Sequence, residues 1–199
     1  MVQTIDNPTI SPAAEQHFIC RGLTWHQFKA IQASFEKVPN VRLFYCQGVL
    51  EIVGISKPHE ETRCLIAALL VSFFQFRRIQ FFPSGAYSQI VEGQVEYQAD
   101  LSYCIGNRKD VPDLCIEVVV TSGSPIKLQK YRLMGVPEVW FWEDGTLELY
   151  HFREQGYERI TNSELLPELD LSLLKRCILF ASPLDALEEF SRGMADRET

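Results

Sequence analysis

The sequence predicts an α/β fold, a central mixed β-sheet flanked by helices, and three observations predict it. Leu114–Val120 is a near-continuous β-branched run, the pattern of a strand buried on both faces, and Ser124-Pro125 then opens a short helix that ends near Gly135. Apolar or alternating segments pair around turn dipeptides: Ala86–Val91 with Val95–Ile105 around Glu92-Gly93, and Glu138–Glu143 with Thr146–Phe152 around Asp144-Gly145. A long helix runs from Pro58 to about Arg77, with Leu65, Leu69 and Phe73 on one row and Ile66 and Leu70 on the next, an apolar face suited to a sheet.

The remaining elements follow in chain order. Met1 to about Gly22 lacks periodicity and reads as an arm. Thr24-Trp25-His26-Gln27 is a capping box for a peripheral helix reaching about Glu36. Arg42–Cys46 and Leu50–Gly54 read as two strands around Gln47-Gly48, and Ile79–Phe82 as a further apolar segment. Gly156 allows one more reversal, and Pro183–Thr199 reads as an exposed amphipathic helix. The expected division is an arm at 1–22, one domain at 23–182 and a helical tail at 183–199, with no internal repeat and no low-complexity segment.

Composition bounds the function. A chain of 199 residues, 46% hydrophobic and 12% aromatic, buries a full single core. A net charge of -7 opposes general coating of nucleic acid, so contact with phosphate must be focused in a local basic cleft. The six cysteines have no C-x-x-C spacing and sit mostly in apolar runs, as reduced thiols of a cytoplasmic protein do. The first twenty residues lack the basic start and apolar stretch of a signal peptide. Cys64–Phe74, the longest apolar run, is far short of the roughly 20 residues that span a bilayer. Neither secretion nor membrane insertion is expected.

Two acids interrupt strands that otherwise have reason to be apolar. Asp100 breaks Val95–Ile105, and Glu117 lies between Ile116 and Val118 in the most hydrophobic strand. If the strands are neighbours, the carboxylates converge, and burial of such anions requires a compensating cation. Hard Mg²⁺, held by one or two carboxylates with water and phosphate oxygen, meets that requirement. The alternatives are a Glu117 carboxylate paired with a helix lysine or arginine, and an Asp100 facing solvent near a hairpin end. Lys127, ten residues after Glu117 and on the first turn of the next helix, can swing back to orient a nucleophilic water or offset phosphorane charge. Lys130, one turn on, is its rival, and an ordinary exposed helix lysine is the alternative to both.

From about Leu23 to Leu169 the residues resemble the Uma-type restriction endonucleases, a branch of the PD-(D/E)XK nuclease superfamily. The resemblance rests on Pro112-Asp113-Leu114-Cys115-Ile116-Glu117-Val118, then Thr121-Ser122, Lys127-Leu128-Gln129-Lys130-Tyr131 and Gly135-Val136-Pro137-Glu138-Val139-Trp140. Upstream, Gly48-Val49-Leu50-Glu51-Ile52, His59-Glu60 and Gln98-Ala99-Asp100 are similar to further family segments. The resemblance implies a restriction-endonuclease-like fold and a Mg²⁺-dependent DNA endonuclease in which Mn²⁺ can substitute. Asp100 and Glu117 would then be the metal-binding acids, helped by a backbone carbonyl near Val118. Lys127 would be the catalytic lysine, moved from strand to helix, because the superfamily position two residues after the acid is Val119. Glu60, with His59, would occupy the family's additional polar position at the core-helix start, where an acid also suits the helix dipole.

The sequence departs from the family at Gln98, where glutamate is usual, and at Ala99, where proline is. The missing acid makes a rival reading concrete: a nucleic-acid-binding or assembly module that keeps the fold without catalysis. Tyr131 is expected to pack its helix on the sheet. Trp140 and Trp142 lie on one side of their strand as packing aromatics. Arg77, Arg78, Arg108, Lys109, Lys130 and Arg132 are candidates to track phosphate. Double-strand cleavage takes two sites, so a homodimer is expected. A small phosphorylated substrate is disfavoured, since neither a glycine-rich phosphate cradle nor a nucleophile elbow occurs.

Overall fold

The computed structural model describes residues 16–85, 87–119 and 126–196, the side chains of Ile126 and Lys127 excepted. Thr121, Ser122 and the expected helix start at Ser124-Pro125 lie outside them.

The strands divide into two sheets, where the sequence suggested one. The first is antiparallel, in the order β1-β3-β2-β6-β5. β2 (Val41–Cys46) and β3 (Val49–Gly54) form the expected hairpin. Their connection, Gln47-Gly48, has positive φ at both positions, 44° and 89°, the requirement of a two-residue turn that matches strand twist. β1 (His17–Arg21) adds to the edge of β3, so the expected arm ends in a strand. It is mostly exposed, and backbone pairing rather than an apolar pattern places it. β6 (Val95–Tyr97) pairs with β2, and β5 (Gln89–Val91) closes the sheet.

α1 (Trp25–Phe35) starts at the capping box of Thr24 and Gln27 and covers the outer face of this sheet. Phe28 stacks on Tyr45 with ring centroids 5.0 Å apart. Glu96, buried under the helix, accepts from Lys29 Nζ at 2.9 Å and from Gln32 Nε2 at 2.6 Å.

The second sheet is the mixed one, in the order β11-β10-β9-β8-β7-β4. It comprises β4 (Phe81–Pro83), β7 (Leu101–Ile105), β8 (Leu114–Val119), β9 (Glu138–Glu143), β10 (Thr146–Arg153) and β11 (Gly156–Ile160). β8 and β9 are parallel, and the other neighbours are antiparallel. All six residues of β8 are buried, as its unbroken apolar run requires.

α2 (Lys57–Phe76), α4 (Leu171–Ile178) and α5 (Pro183–Ala195) cover one face of this sheet. Leu69, Phe74, Ile116, Val118, Trp140, Trp142, Leu174 and Phe190 share that core. The tail expected to be exposed is therefore part of the core: α5 is amphipathic, and it buries Ala186, Phe190 and Met194. Cys115, Val119, Val139 and Phe141 point to the opposite face, where they meet Val95 and Tyr97 of the first sheet and Tyr131 of α3 (Ile126–Met134). Among the described residues no helix is long and apolar enough to cross a membrane.

Val95–Ile105 is two strands rather than one. β6 belongs to the first sheet and β7 to the second, and the chain crosses between them at Gln98-Ala99-Asp100.

Glu138 ties the far side together. Its fully buried carboxylate accepts from Trp140 Nε1 at 2.6 Å and from the backbone amides of Glu164 and Leu165 at 3.0 and 3.3 Å, and it lies 3.4 Å from His151 Nδ1. Glu138→Ala leaves these donors without an acceptor and is expected to cost about 3 kcal/mol or more. Urea denaturation checks this, and a loss below about 1 kcal/mol would contradict the role given to the carboxylate.

Candidate functional site

The crossover between the sheets delivers Asp100 to Glu117. β7 and β8 pair with Leu101 opposite Ile116, so one step further the antiparallel register sets Asp100 opposite Glu117. Both are buried, 6% exposed each, and Asp100 Oδ2 accepts from the Val118 amide at 2.9 Å. Glu117 shares its face of β8 with Cys115 and Val119, toward α3 and the first sheet. The expected convergence of the two acids is present.

Each acid is met by protein cations. Arg42, from β2, donates from Nη1 to Asp100 Oδ1 at 2.6 Å, and His59 Nε2, from the first turn of α2, lies 3.0 Å from Asp100 Oδ2. Burial by itself pushes the Asp100 carboxyl up. His59, the Val118 amide and the Arg42 guanidinium outweigh that and hold it well below the usual carboxylate range.

On Glu117, Oε1 accepts the Tyr131 hydroxyl and lies 2.9 Å from Lys130 Nζ. Burial pulls the Lys130 ammonium down, and the Glu117 charge and hydrogen bond more than reverse it, so its affinity for the proton is raised. The Tyr131 hydroxyl is raised by burial and by Glu117. Lys130 Nζ also stands 4.7 Å from the ring centroid of Phe44, 5.2 Å from Tyr97 and 5.1 Å from Tyr131, an aromatic enclosure suited to a desolvated cation.

The other expected residues divide. Glu60 is beside the site and partly exposed. It accepts from Arg63 Nε at 2.9 Å and lies 3.6 Å from Arg42 Nη2. Lys127 opens α3, and its side chain lies outside the described residues. Val119, where the superfamily resemblance places a lysine, packs in the apolar cluster with Tyr131. Gln98 donates to Ser88 Oγ at 2.9 Å, and Ala99 is buried beside it. Of the basic residues proposed to track phosphate, Lys130 is buried on Glu117, Lys109 lies 2.7 Å from each oxygen of Asp113, and Arg77 is 3.1 Å from Glu168.

Sequence reasoning missed Arg42. Its signal is faint: it alternates with Phe44 and Cys46 on the inward face of β2, an arginine among positions that point at the core. Tyr131 packs its helix as expected and also binds Glu117, a second role that the sequence did not show.

The cavity bounded by Arg42, His59, Asp100, Glu117 and Lys130 holds about 30 Å³, room for a water or two. A cleft of about 800 Å³ lies beyond α3, lined by Gln129, Arg132, Phe152 and Tyr157 among others. Among the described residues no carboxylate, histidine or lysine lines it, whereas the smaller cavity gathers all three. In donor type, two adjacent carboxylates suit Mg²⁺, which keeps several waters and takes one or two carboxylates. Among the described residues no group of three histidine, cysteine, aspartate or glutamate side chains converges as a ligand set. The fit is therefore that of a two-carboxylate site whose oxygens are shared with protein cations.

Comparison with known proteins places the chain. Residues 25–179 match the family Uma2, described as "Putative restriction endonuclease". Among solved structures, it is similar to "a putative nuclease belonging to DUF820" from Anabaena variabilis, with 16% identity and a TM-score of 0.47, over 84% of this chain and 99% of that one. No curated protein matches it. With more than half of its length matched, the chain belongs to the Uma2 family.

Proposed function

We propose that the chain is a metal-dependent nuclease that hydrolyses phosphodiester bonds of DNA, with Asp100 and Glu117 as the ligands of Mg²⁺ or Mn²⁺. The observation that carries the reading is the pair of buried carboxylates in register, Asp100 just before β7 and Glu117 on β8, with an ammonium on one of them, in a chain of a nuclease family. The Val118 carbonyl is a further oxygen on the same strand. When bound, the ion would supply Lewis acidity toward the phosphoryl group and lower the pKa of water. His59 positions Asp100 by its contact to Oδ2. The lysine role we assign to Lys130, whose ammonium is on Glu117, where it can steady a nucleophilic water and the charge that develops on phosphorus. One such site cuts one strand, so double-strand cleavage would take two copies of the chain.

A specific observation favours the second reading, a nucleic-acid-binding module without catalysis. Both acids are neutralised by the protein's own cations, Arg42 and Lys130, and Gln98 stands where the family has an acid. A lysine that serves only as a counter-ion makes the same contact as a catalytic one, so activity must separate them.

Glu117→Gln and Asp100→Asn are each expected to lower Mg²⁺-supported nicking of supercoiled plasmid roughly 100-fold or more. Glu117→Gln leaves Lys130 without its counter-ion, so unfolding midpoints must accompany the rates. Wild-type protein that cuts neither plasmid nor single strands with either metal would move the assignment to the binding module.

Lys130→Met is expected to lose roughly 100-fold in the single-turnover cleavage rate, and Lys127→Met less than about tenfold. The reverse order would return the lysine role to Lys127.

A further inference from the structure

The cavity and its ion pairs pose a problem of occupancy. The cavity lined by Arg42, Glu51, His59, Asp100, Glu117 and Lys130 holds about 30 Å³, and Asp100 Oδ1, which a divalent cation would take, is already taken by Arg42. A cation that binds that oxygen must displace the guanidinium.

The three basic side chains that wall the cavity are not equally free to move. The side chains of His59 and Lys130 are 4% and 8% exposed, and that of Arg42 is 16% exposed. Arg42 also has a second acceptor in reach. Its Nη2 stands 3.6 Å from Glu60 Oε1, the oxygen that Arg63 leaves open by holding Oε2, and Glu60 is 38% exposed, so the guanidinium can change partner without becoming an unpaired buried charge. Lys130 has no such exit, enclosed by Glu117 and three aromatic rings.

Resting on the metal-dependent reading above, we infer that Arg42 is a displaceable stand-in for the metal: it holds Asp100 while the site is empty and passes to Glu60 when a divalent cation takes the Asp100 oxygen. Arg42 and the cation therefore compete, and Glu60 favours the cation by receiving Arg42.

Calorimetric titration with MnCl₂ alone, without nucleic acid, tests this in wild type, Arg42→Gln, Glu60→Gln and the double variant. Removal of the competing charge-assisted hydrogen bond is expected to tighten Mn²⁺ binding about tenfold or more in Arg42→Gln. Glu60→Gln is expected to weaken it in the wild-type background and to have no effect in the Arg42→Gln background, because Glu60 acts through Arg42. Unchanged or weaker binding by folded Arg42→Gln overturns the inference and leaves the nuclease reading intact. Weakening by Glu60→Gln in both backgrounds also overturns it, since Glu60 would then act on the metal directly. Absence of Mn²⁺ binding in all four proteins overturns both readings together. A measurement on wild type needs no variant to fold: in arginine-labelled protein the Arg42 Nε–H resonance is expected to shift as Mg²⁺ saturates, and an unmoved resonance at saturation overturns the exchange.

Discussion

Two carboxylates placed opposite each other on neighbouring buried strands cannot both stay ionised without cations at hand, and this constraint organises much of the molecule. Withdrawal of an ion from water costs several kcal/mol even after relaxation, and like charges in register add to that cost. The compensation comes from three separate elements. β2 supplies Arg42, the start of α2 supplies His59, and α3 supplies Lys130 together with the Tyr131 hydroxyl. The first sheet, the long helix and the short helix are thereby pinned to one point on the mixed sheet. The point lies where the chain passes from one sheet to the other, so Asp100 is also the place where the two halves of the fold are tied.

How much of this is legible in the sequence depends on whether a residue's partners are local. The capping box at Thr24, the Gln47-Gly48 hairpin and the doubly buried β8 are local patterns, and they fold as read. Asp100 and Glu117 stand out because each is a charge in an apolar strand. Arg42 does not stand out, because its partner is 58 residues away and a hairpin strand carries charges as a matter of course. The break at Gln98-Ala99-Asp100 is hidden for a related reason. Apolar residues continue on both sides of it, and nothing local says that the chain changes sheets there. β1 has an exposed edge and hence no burial pattern, and the burial of α5 is set by α2 and α4, which a single helix cannot announce. α4 could have been found: Asp170 caps it, and Leu173, Leu174, Cys177 and Ile178 follow at helical spacing.

The absent lysine two residues after Glu117 has a geometric explanation. Residues two apart on a strand share a face, so Val119 points into the same layer as Glu117. That layer is roofed by α3, and from the roof Lys130 reaches the Glu117 carboxylate. A lysine at position 119 as well would set two ammonium groups against one carboxylate in a volume closed by Tyr97 and Tyr131. Valine instead completes the apolar packing with Tyr131, which holds the helix at the height from which Lys130 arrives. On the proposed reading strand and helix exchange tasks: the strand gives up its charge to packing, and the helix carries it.

On the proposed function an acidic chain must meet a phosphate backbone. A net charge of -7 leaves little long-range attraction, and the cations at the site are committed to internal carboxylates: Arg42 to Asp100, Arg63 to Glu60, Lys130 to Glu117. On the proposed reading, positive potential toward a substrate would arise by rearrangement of these pairs, through a cation that neutralises the acids or through an arginine that changes partner. Binding energy spent on that rearrangement would, on the same reading, be lost to ground-state affinity and gained as discrimination, because a ligand that does not bring about the exchange would meet acids already paired. Weak binding in the absence of metal and a strong dependence on it would then be two expressions of one proposed arrangement, the pairing of Asp100 with Arg42 and of Glu117 with Lys130.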